Sequence, residues 1–126
     1  MIPFREVEQI HQILIDRFGG LHGIRDALAL QSALARPFQT FDAQELHPSV
    51  LEKAAALIES ILNNHPFIDG NKRVGYTLLR FFLIQNGIDL TASQSDKYDF
   101  VINIASGTLK HAGIVAWLTS NTKKVN

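Results

Sequence analysis

The stretch AAALIESILNNHPFIDGNKRVG, residues 54–75, predicts two apolar helices joined by a short polar loop. The apolar side chains of residues 50–62 give the first helix a wide buried face, and Asn63-Asn64 ends it. In residues 74–84, apolar side chains lie on almost every side, which is typical of a central, buried helix. This pair of helices therefore predicts the centre of a helical domain.

Helical periodicity also occurs on both sides of this centre. Gly19-Gly20 is a stop signal for a first helix, and a shorter second helix ends before Pro37. Residues 37–46 lack a period and predict a loop or short flap. The inner face of the first helix is expected to contain Val7, Ile10, Leu14 and Phe18.

Two more helices are expected toward the C-terminus. Ser95 or Asp96 can cap the first of them, and Thr108 can cap the second. Residues 38–41 and 88–90 are the candidates for a small extended piece. The predicted fold is all-α: a compact bundle of about six helices in a single domain, residues 1–126, with at most a tiny extended flap.

Composition and charge restrict the class of function. The 126 residues are 46% hydrophobic and 19% charged, as expected for one globular domain. Twelve basic and twelve acidic residues cancel, so direct nucleic-acid binding is not expected, and Lys123-Lys124 is interpreted as a frayed tail. The absence of cysteine fits a reducing cytosol. Neither a signal peptide nor a membrane-length apolar run is visible, so we expect a cytoplasmic protein without membrane contact.

The loop HPFIDGNKR, residues 65–73, contains the candidate catalytic residues. His65 is a candidate general base, a role typically worth ~10²–10⁴ in rate. A structural histidine is the alternative, but the neighbouring Asp69, Lys72 and Arg73 favour catalysis. Phe67 is expected to be buried and to act as the structural anchor of the loop. Asp69 has two compatible interpretations, a Mg²⁺ ligand and the N-cap of the following helix.

The end of the loop predicts a phosphate site. Gly70 allows close approach of the backbone, and Asn71 can bond the loop to itself or donate to a phosphate. Lys72 is a mobile charge, whereas Arg73 offers a planar fork of donors. Two cations at a helix N-terminus oppose the helix dipole, which favours an anion between them over a solvated helix start. Structural or surface roles are expected for the scattered His11, His22, His47 and His111, and no pairing is evident for Glu45, Glu52 or Glu59.

The loop resembles the signature of the Fic/Doc family, His-x-Phe-x-Asp/Glu-Gly/Ala-Asn-Gly/Lys-Arg. FGGLHGIRDALALQSALARPFQTF, residues 18–41, and residues 54–75 are similar to stretches of its death-on-curing (Doc) branch, so the resemblance covers most of the chain. It implies a compact, mostly helical fold and a protein that uses ATP and Mg²⁺.

The resemblance implies one of two transfer reactions. Typical Fic enzymes have glycine directly before the arginine and transfer AMP from ATP to a hydroxyl side chain, but Lys72 has that place here. The Asn71-Lys72-Arg73 form is similar to Doc toxins, which transfer the γ-phosphate of ATP to a threonine of elongation factor Tu and arrest translation. Gly70 departs from the phage-type Doc pattern, which has alanine there, and keeps AMP transfer as the alternative.

The resemblance also implies a role for each loop residue. His65 would deprotonate the target hydroxyl, and Asp69 would hold Mg²⁺. Arg73 would be the second catalytic residue, stabilising charge that develops in the transition state. The nucleotide phosphates would be bound by Gly70, Asn71, Lys72 and Arg73.

The expectation of a partner protein rests on an inhibitory motif that we do not find in this sequence. Internally restrained Fic proteins carry an inhibitory Ser/Thr-x-x-x-Glu-Gly/Asn helix, and its lack here implies an antitoxin protein acting in trans. A non-catalytic binding module is the alternative from another class, disfavoured because pure binding does not need a base. A nuclease is disfavoured by the neutral charge and the single plausible metal carboxylate.

Overall fold

The structure, a computed structural model, describes residues 1–125. Within them six α-helices form the domain, which confirms the predicted all-α bundle. None of the helices in this part of the chain has both the length and the apolar character needed to cross a bilayer. The helices are α1 (Phe4–Phe18), α2 (Ala27–Ala35), α3 (Val50–Asn64), α4 (Asn71–Gln85), α5 (Gln94–Ala105) and α6 (His111–Ser120).

Two short antiparallel pairs complete the fold. After a 3₁₀ turn at Arg36–Phe38, β1 (Thr40–Phe41) and β2 (Gln44–Glu45) form the expected small flap. The second pair joins β3 (Ile88–Leu90) to β4 (Thr122–Lys124).

The second pair corrects the expectation of a frayed tail. Lys123 and Lys124 belong to β4, and Lys123 lies directly opposite Asp89. Pairing of β4 satisfies backbone groups of β3 that would otherwise bond only to water, and it sets opposite charges side by side. Residues 123 and 124 are therefore held in place by pairing with β3, the strand that follows α4.

The helix α3 lies at the centre of the bundle. All of its residues from 54 to 62 are buried, and it packs against α2, α4, α5 and α6. The sequence predicted α4 for this place, but Phe81 and Ile84 of α4 are exposed. The difference arises because Ala54, Ala55 and Ala56 are small enough to let neighbouring helices approach α3 on all sides.

Two predicted helix caps are wrong. Ser93, not Ser95 or Asp96, caps α5, because its hydroxyl accepts a hydrogen bond from the backbone N–H of Asp96 at 3.1 Å. The hydroxyl of Thr108 lies 2.9 Å from that of Ser106, so it is engaged before α6 begins. The N-cap of α6 is Lys110, and no side chain caps that helix.

Glu59 has a partner that the sequence did not indicate. Its Oε1 lies 2.7 Å from Nη2 of Arg36, and Nη1 of Arg36 donates to the Ser60 hydroxyl at 2.9 Å. Glu59 and Ser60 are buried on α3, while Arg36 comes from the 3₁₀ turn. This ion pair ties the segment after α2 to the central helix and compensates the charge of a buried carboxylate.

A pair of histidines makes stability depend on pH. The rings of His47 and His111 lie 4.8 Å apart between centroids, and Nδ1 of each is buried without a hydrogen-bond partner within residues 1–125. Burial, then His111 and Arg36, lower the pKa of His47 below its ordinary 6.5, and Lys53 also lowers it while Glu52 opposes them. The folded state therefore prefers the neutral imidazole.

We expect the melting temperature to fall as the pH is lowered from about 7 to about 5. A pKa lower in the folded than in the unfolded state leaves stability intact above the unfolded value, and stability is lost as pH falls below it. Thermal unfolding followed by circular dichroism across this range measures the effect. His47→Gln, which does not titrate there, should flatten the dependence, and an unchanged slope in that variant would contradict the assignment to His47.

Candidate active site

His65 sits at the turn between α3 and the loop. It is the C-cap of α3 and has the left-handed conformation, φ 47° and ψ 58°, while its backbone N–H donates to the Ile61 carbonyl at 3.3 Å. A left-handed residue ends a helix by turning the chain aside. The side chain of His65 is exposed. The backbone of His65 therefore has a structural role, while the imidazole is available for chemistry.

Arg25 holds the end of α3 and the start of the loop. Its Nε donates to the His65 carbonyl and its Nη2 to the Asn64 carbonyl, both at 2.6 Å. The backbone N–H groups of Arg25 and Asp26 donate to the Pro66 carbonyl at 2.8 and 3.1 Å. These bonds satisfy carbonyls that a helix end leaves without partners. Sequence reasoning assigned no role to Arg25, and its place in the GIRD stretch of residues 23–26 was the one signal for it.

Phe67 fixes the middle of the loop. Only 1% of its surface is exposed, and its ring stacks on His11 with centroids 3.9 Å apart. Nε2 of His11 also lies 2.8 Å from the Asp69 carbonyl, which is the expected structural kind of role for this histidine. The stack and the hydrogen bond place the backbone on both sides of Ile68 against α1.

Asn71 bonds the loop to itself. Its Oδ1 accepts from the Phe67 N–H at 3.0 Å, and its Nδ2 donates to the Phe67 carbonyl at 2.9 Å. Of the two possibilities that the sequence left open for this amide, the structure contains the internal one. The first residue of α4 thereby closes the loop on its buried anchor.

The N-terminus of α4 has free donors. Its N-cap is Gly70, at φ 77°, and no side chain caps the helix. Within residues 1–125, the backbone N–H groups of Asn71, Lys72 and Arg73 have no hydrogen-bond partner. Lys72 and Arg73 are exposed and form no salt bridge in this part of the chain. Free N–H groups at the positive end of a helix dipole, with two unpaired cations, suit a phosphate group.

Arg73 is oriented by an aromatic ring. Its Cζ lies 4.6 Å from the centroid of the Phe18 ring, within the range of a cation–π interaction. Phe18, which the periodicity placed on the inner face of α1, is 58% exposed. Stacking uses the face of the guanidinium and leaves its N–H groups free. Arg73 is thus held in place with its donors available to an anion.

The carboxylate of Asp69 is held by backbone donors. Oδ1 accepts from the Gly70 N–H at 2.8 Å, and Oδ2 accepts from the Leu21 N–H at 3.1 Å. A Cβ at Gly20 would lie 2.7 Å from Oδ2, so glycine there makes room for the carboxylate. Because the N-cap of α4 is Gly70, the capping interpretation of Asp69 is wrong.

The geometry of Asp69 fits a Mg²⁺ ligand. Each carboxylate oxygen accepts one hydrogen bond and keeps lone-pair capacity for a cation. Within residues 1–125 no three His, Cys, Asp or Glu side chains form a metal-binding group. Mg²⁺ is commonly bound by one or two carboxylates together with substrate phosphates and water. Asp69 beside the α4 N-terminus matches that kind of site.

These residues share one cavity of about 580 Å³, a size that suits a nucleotide. Phe67 lies behind the loop, outside the lining. Six further lining residues come from α5, which sequence reasoning did not connect with the site. The predicted site residues that line the cavity are His65, Asp69, Gly70, Asn71, Lys72 and Arg73.

Comparison with known proteins confirms the family. The model of the Fic/DOC family matches residues 2–83. The chain belongs to the Fic/DOC family. The matched residues of this Fic/DOC chain include α1 to α3, the loop and nearly all of α4, and they exclude α5 and α6.

Two relatives of this Fic/DOC chain are named for Doc. The protein Toxin Doc of Mycolicibacterium smegmatis is 41% identical over 75 residues, which are 60% of this chain and span 58% of that relative's length. The Protein kinase doc of Escherichia phage P1 is 27% identical over 109 residues, 86% of this chain and 85% of the phage protein. The names of both relatives agree with the resemblance to the Doc branch.

Proposed function

We propose that this protein is the toxin of a toxin–antitoxin pair and transfers the γ-phosphate of ATP to a serine or threonine hydroxyl of a translation factor. Elongation factor Tu is the first candidate for the target. The supporting observation is that an exposed imidazole, two unpaired cations and uncapped backbone N–H groups line the same cavity. The name of the phage relative, a protein kinase, supports phosphate transfer, and the name of the other relative, a toxin, supports the toxin role.

In the proposed reaction His65 accepts the proton of the target hydroxyl. The hydroxyl oxygen forms a bond to the γ-phosphorus, the bond from that phosphorus to the β–γ bridging oxygen breaks, and ADP leaves. Arg73, Lys72 and the N–H groups of α4 stabilise the negative charge on the phosphoryl oxygens. A Mg²⁺ ion held by Asp69 would neutralise part of the charge on the phosphates.

The contacts of the His65 backbone hold this residue in a fixed position in the site. Arg25 fixes the His65 carbonyl, so the left-handed turn presents the imidazole from a rigid backbone. Phosphoryl transfer is accelerated mainly by positioning and electrostatics, and both depend on a site that does not rearrange. The bonds from residues 23–26 provide that rigidity.

An antitoxin in trans is part of the proposal. The relative from Mycolicibacterium smegmatis is named as a toxin, and a toxin that acts on translation needs a partner that restrains it. Co-expression of this chain with its genomic neighbour, followed by purification of a complex, is the direct approach to that partner.

AMP transfer to a protein hydroxyl is the second candidate. It is favoured by Gly70, which matches the wider Fic signature and has a positive φ of 77° that suits glycine. In that reaction the bond from the α-phosphorus to the α–β bridging oxygen breaks and diphosphate leaves. The same base and the same cavity would act in both reactions.

Labelled ATP distinguishes the candidates. The purified protein is incubated with elongation factor Tu and ATP labelled at either the γ- or the α-phosphate, and the factor is then analysed for label and mass. We expect label from γ-ATP alone. Label from α-ATP alone would replace phosphate transfer by AMP transfer. Arrest of translation without any covalent change would support the non-catalytic binding module instead.

A further inference from the structure

Part of the cavity lining is formed by α5, which lies outside the residues that match the family model. The α5 residues that line the cavity recur at intervals of three and four, so they form one face of the helix. This face is polar toward the N-terminus of α5 and apolar toward its C-terminus. Its N-terminal part contributes Gln94, Lys97 and Tyr98, and its C-terminal part contributes Val101, Ile102 and Ala105.

The charged group of Lys97 has no salt-bridge partner among the described residues. The side chain is partly buried, and within residues 1–125 it forms neither a salt bridge nor a hydrogen bond. The pKa of Asp89 is lowered first by its hydrogen bonds from Arg80, two of 3.2 Å each, and only last by the charge of Lys97. A partly buried lysine that lines the cavity without a salt bridge is available to an anion bound there.

The charges around the cavity are unbalanced. Lys72 and Arg73 line it from the loop side and Lys97 from the α5 side, whereas Asp69 is the one acidic residue in the lining. Cations supplied to one cavity by two different helices suit a ligand with several negative groups. The apolar part of the α5 face suits a nucleobase, so the face as a whole matches a nucleotide with a polyphosphate end and an apolar end.

We propose that Lys97 is a phosphate-binding residue that contacts the polyphosphate of the nucleotide from α5, in addition to the contacts made by Lys72 and Arg73 from α4. This inference rests on the proposed function, because it takes the ligand to be ATP. Lys97 then contributes to specificity: it favours ATP and ADP over AMP, which has a single phosphate group and none left for a third cation.

The test is direct titration of the full chain with ATP, ADP and AMP, without a target protein. Lys97→Met keeps a long unbranched side chain of similar helix propensity and removes the charge. We expect it to weaken binding of ATP and ADP by about 10- to 100-fold, the usual effect of losing one charge-assisted contact, and to change binding of AMP by less than about twofold. Lys97→Arg should keep most of the affinity for ATP.

The matched control is Lys110→Met, which removes the same charge from an exposed lysine outside the cavity. It should bind all three nucleotides as the wild type does, and thermal unfolding confirms that the variants are folded. Equal affinity for ATP in Lys97→Met and wild type would overturn the inference alone. Equal loss for AMP and ATP would overturn the polyphosphate assignment.

The same titration separates this inference from the proposed function. A wild-type protein that binds neither ATP nor ADP would overturn both. A protein that binds ATP through Lys97 but transfers no label from either phosphate position would overturn the proposed chemistry and support the role of Lys97.

Discussion

Replacing His65 with asparagine is expected to lower phosphate transfer by about 10²–10⁴-fold, the usual contribution of a general base, while the domain stays folded. The imidazole is exposed, and the contacts that hold this residue are made by its backbone, which donates to Ile61 and accepts from Arg25. Asparagine has no group that accepts a proton near neutral pH. The initial rate of label transfer from γ-ATP measures the loss.

Asparagine is the better substitution because of the backbone conformation. His65 has φ 47°, in the left-handed region that asparagine tolerates and alanine disfavours by about 1–2 kcal/mol. His65→Ala should therefore lose the same activity and also melt at a lower temperature. Comparing the two variants separates the missing base from the backbone strain.

The matched control is His22→Asn, which removes another exposed histidine, one that does not line the cavity with His65. Its transfer rate should equal that of the wild type. A His65→Asn variant with wild-type transfer rates would show that His65 is not the base.

Replacing Phe67 with alanine is expected to lower the free energy of unfolding by about 3–5 kcal/mol, the usual cost of truncating a buried phenylalanine. The ring is 1% exposed and stacks on His11, so its removal leaves a cavity between α1 and the loop. Urea titration followed by circular dichroism measures the change. Phe67→Leu should lose less, because it leaves a smaller cavity.

Phe41→Ala is the control for Phe67→Ala. This phenylalanine of β1 is 75% exposed, and its truncation should change the free energy of unfolding by about 0.5 kcal/mol or less. If Phe67→Ala costs no more than Phe41→Ala, the interpretation of Phe67 as the anchor of the loop is wrong.

The sequence predicts the part of the fold and site that is local in the chain. Periodicity identifies α3 and α4, and the nine residues between 65 and 73 contain one side of the cavity within a single loop. The sequence does not show that α5 also lines the cavity, because Lys97 has no local pattern that distinguishes it from a surface lysine. Arg25 was missed because the carbonyl groups that it binds lie 40 and 39 positions away in the sequence.

Competition between similar local signals explains the other errors. Ser93 and Ser95 are equally good caps by type, and only the path of the chain decides which hydroxyl meets the free N–H of Asp96. Phe18 satisfies the apolar period of α1, yet its ring serves as a platform for Arg73. The apolar content of α4 suggested a central helix, whereas the small side chains of residues 54–56 give that place to α3.

The Arg25 contacts join residues that are far apart in the sequence, so the site cannot form early in the synthesis of the chain. The ribosome produces Arg25 long before the two carbonyls that it binds, and α5 emerges later still. A nascent chain that ends before α5 lacks the six α5 residues that line the cavity. We therefore expect a truncated product from an interrupted ribosome to bind nucleotide more weakly than the full chain, because the α5 part of the lining is missing.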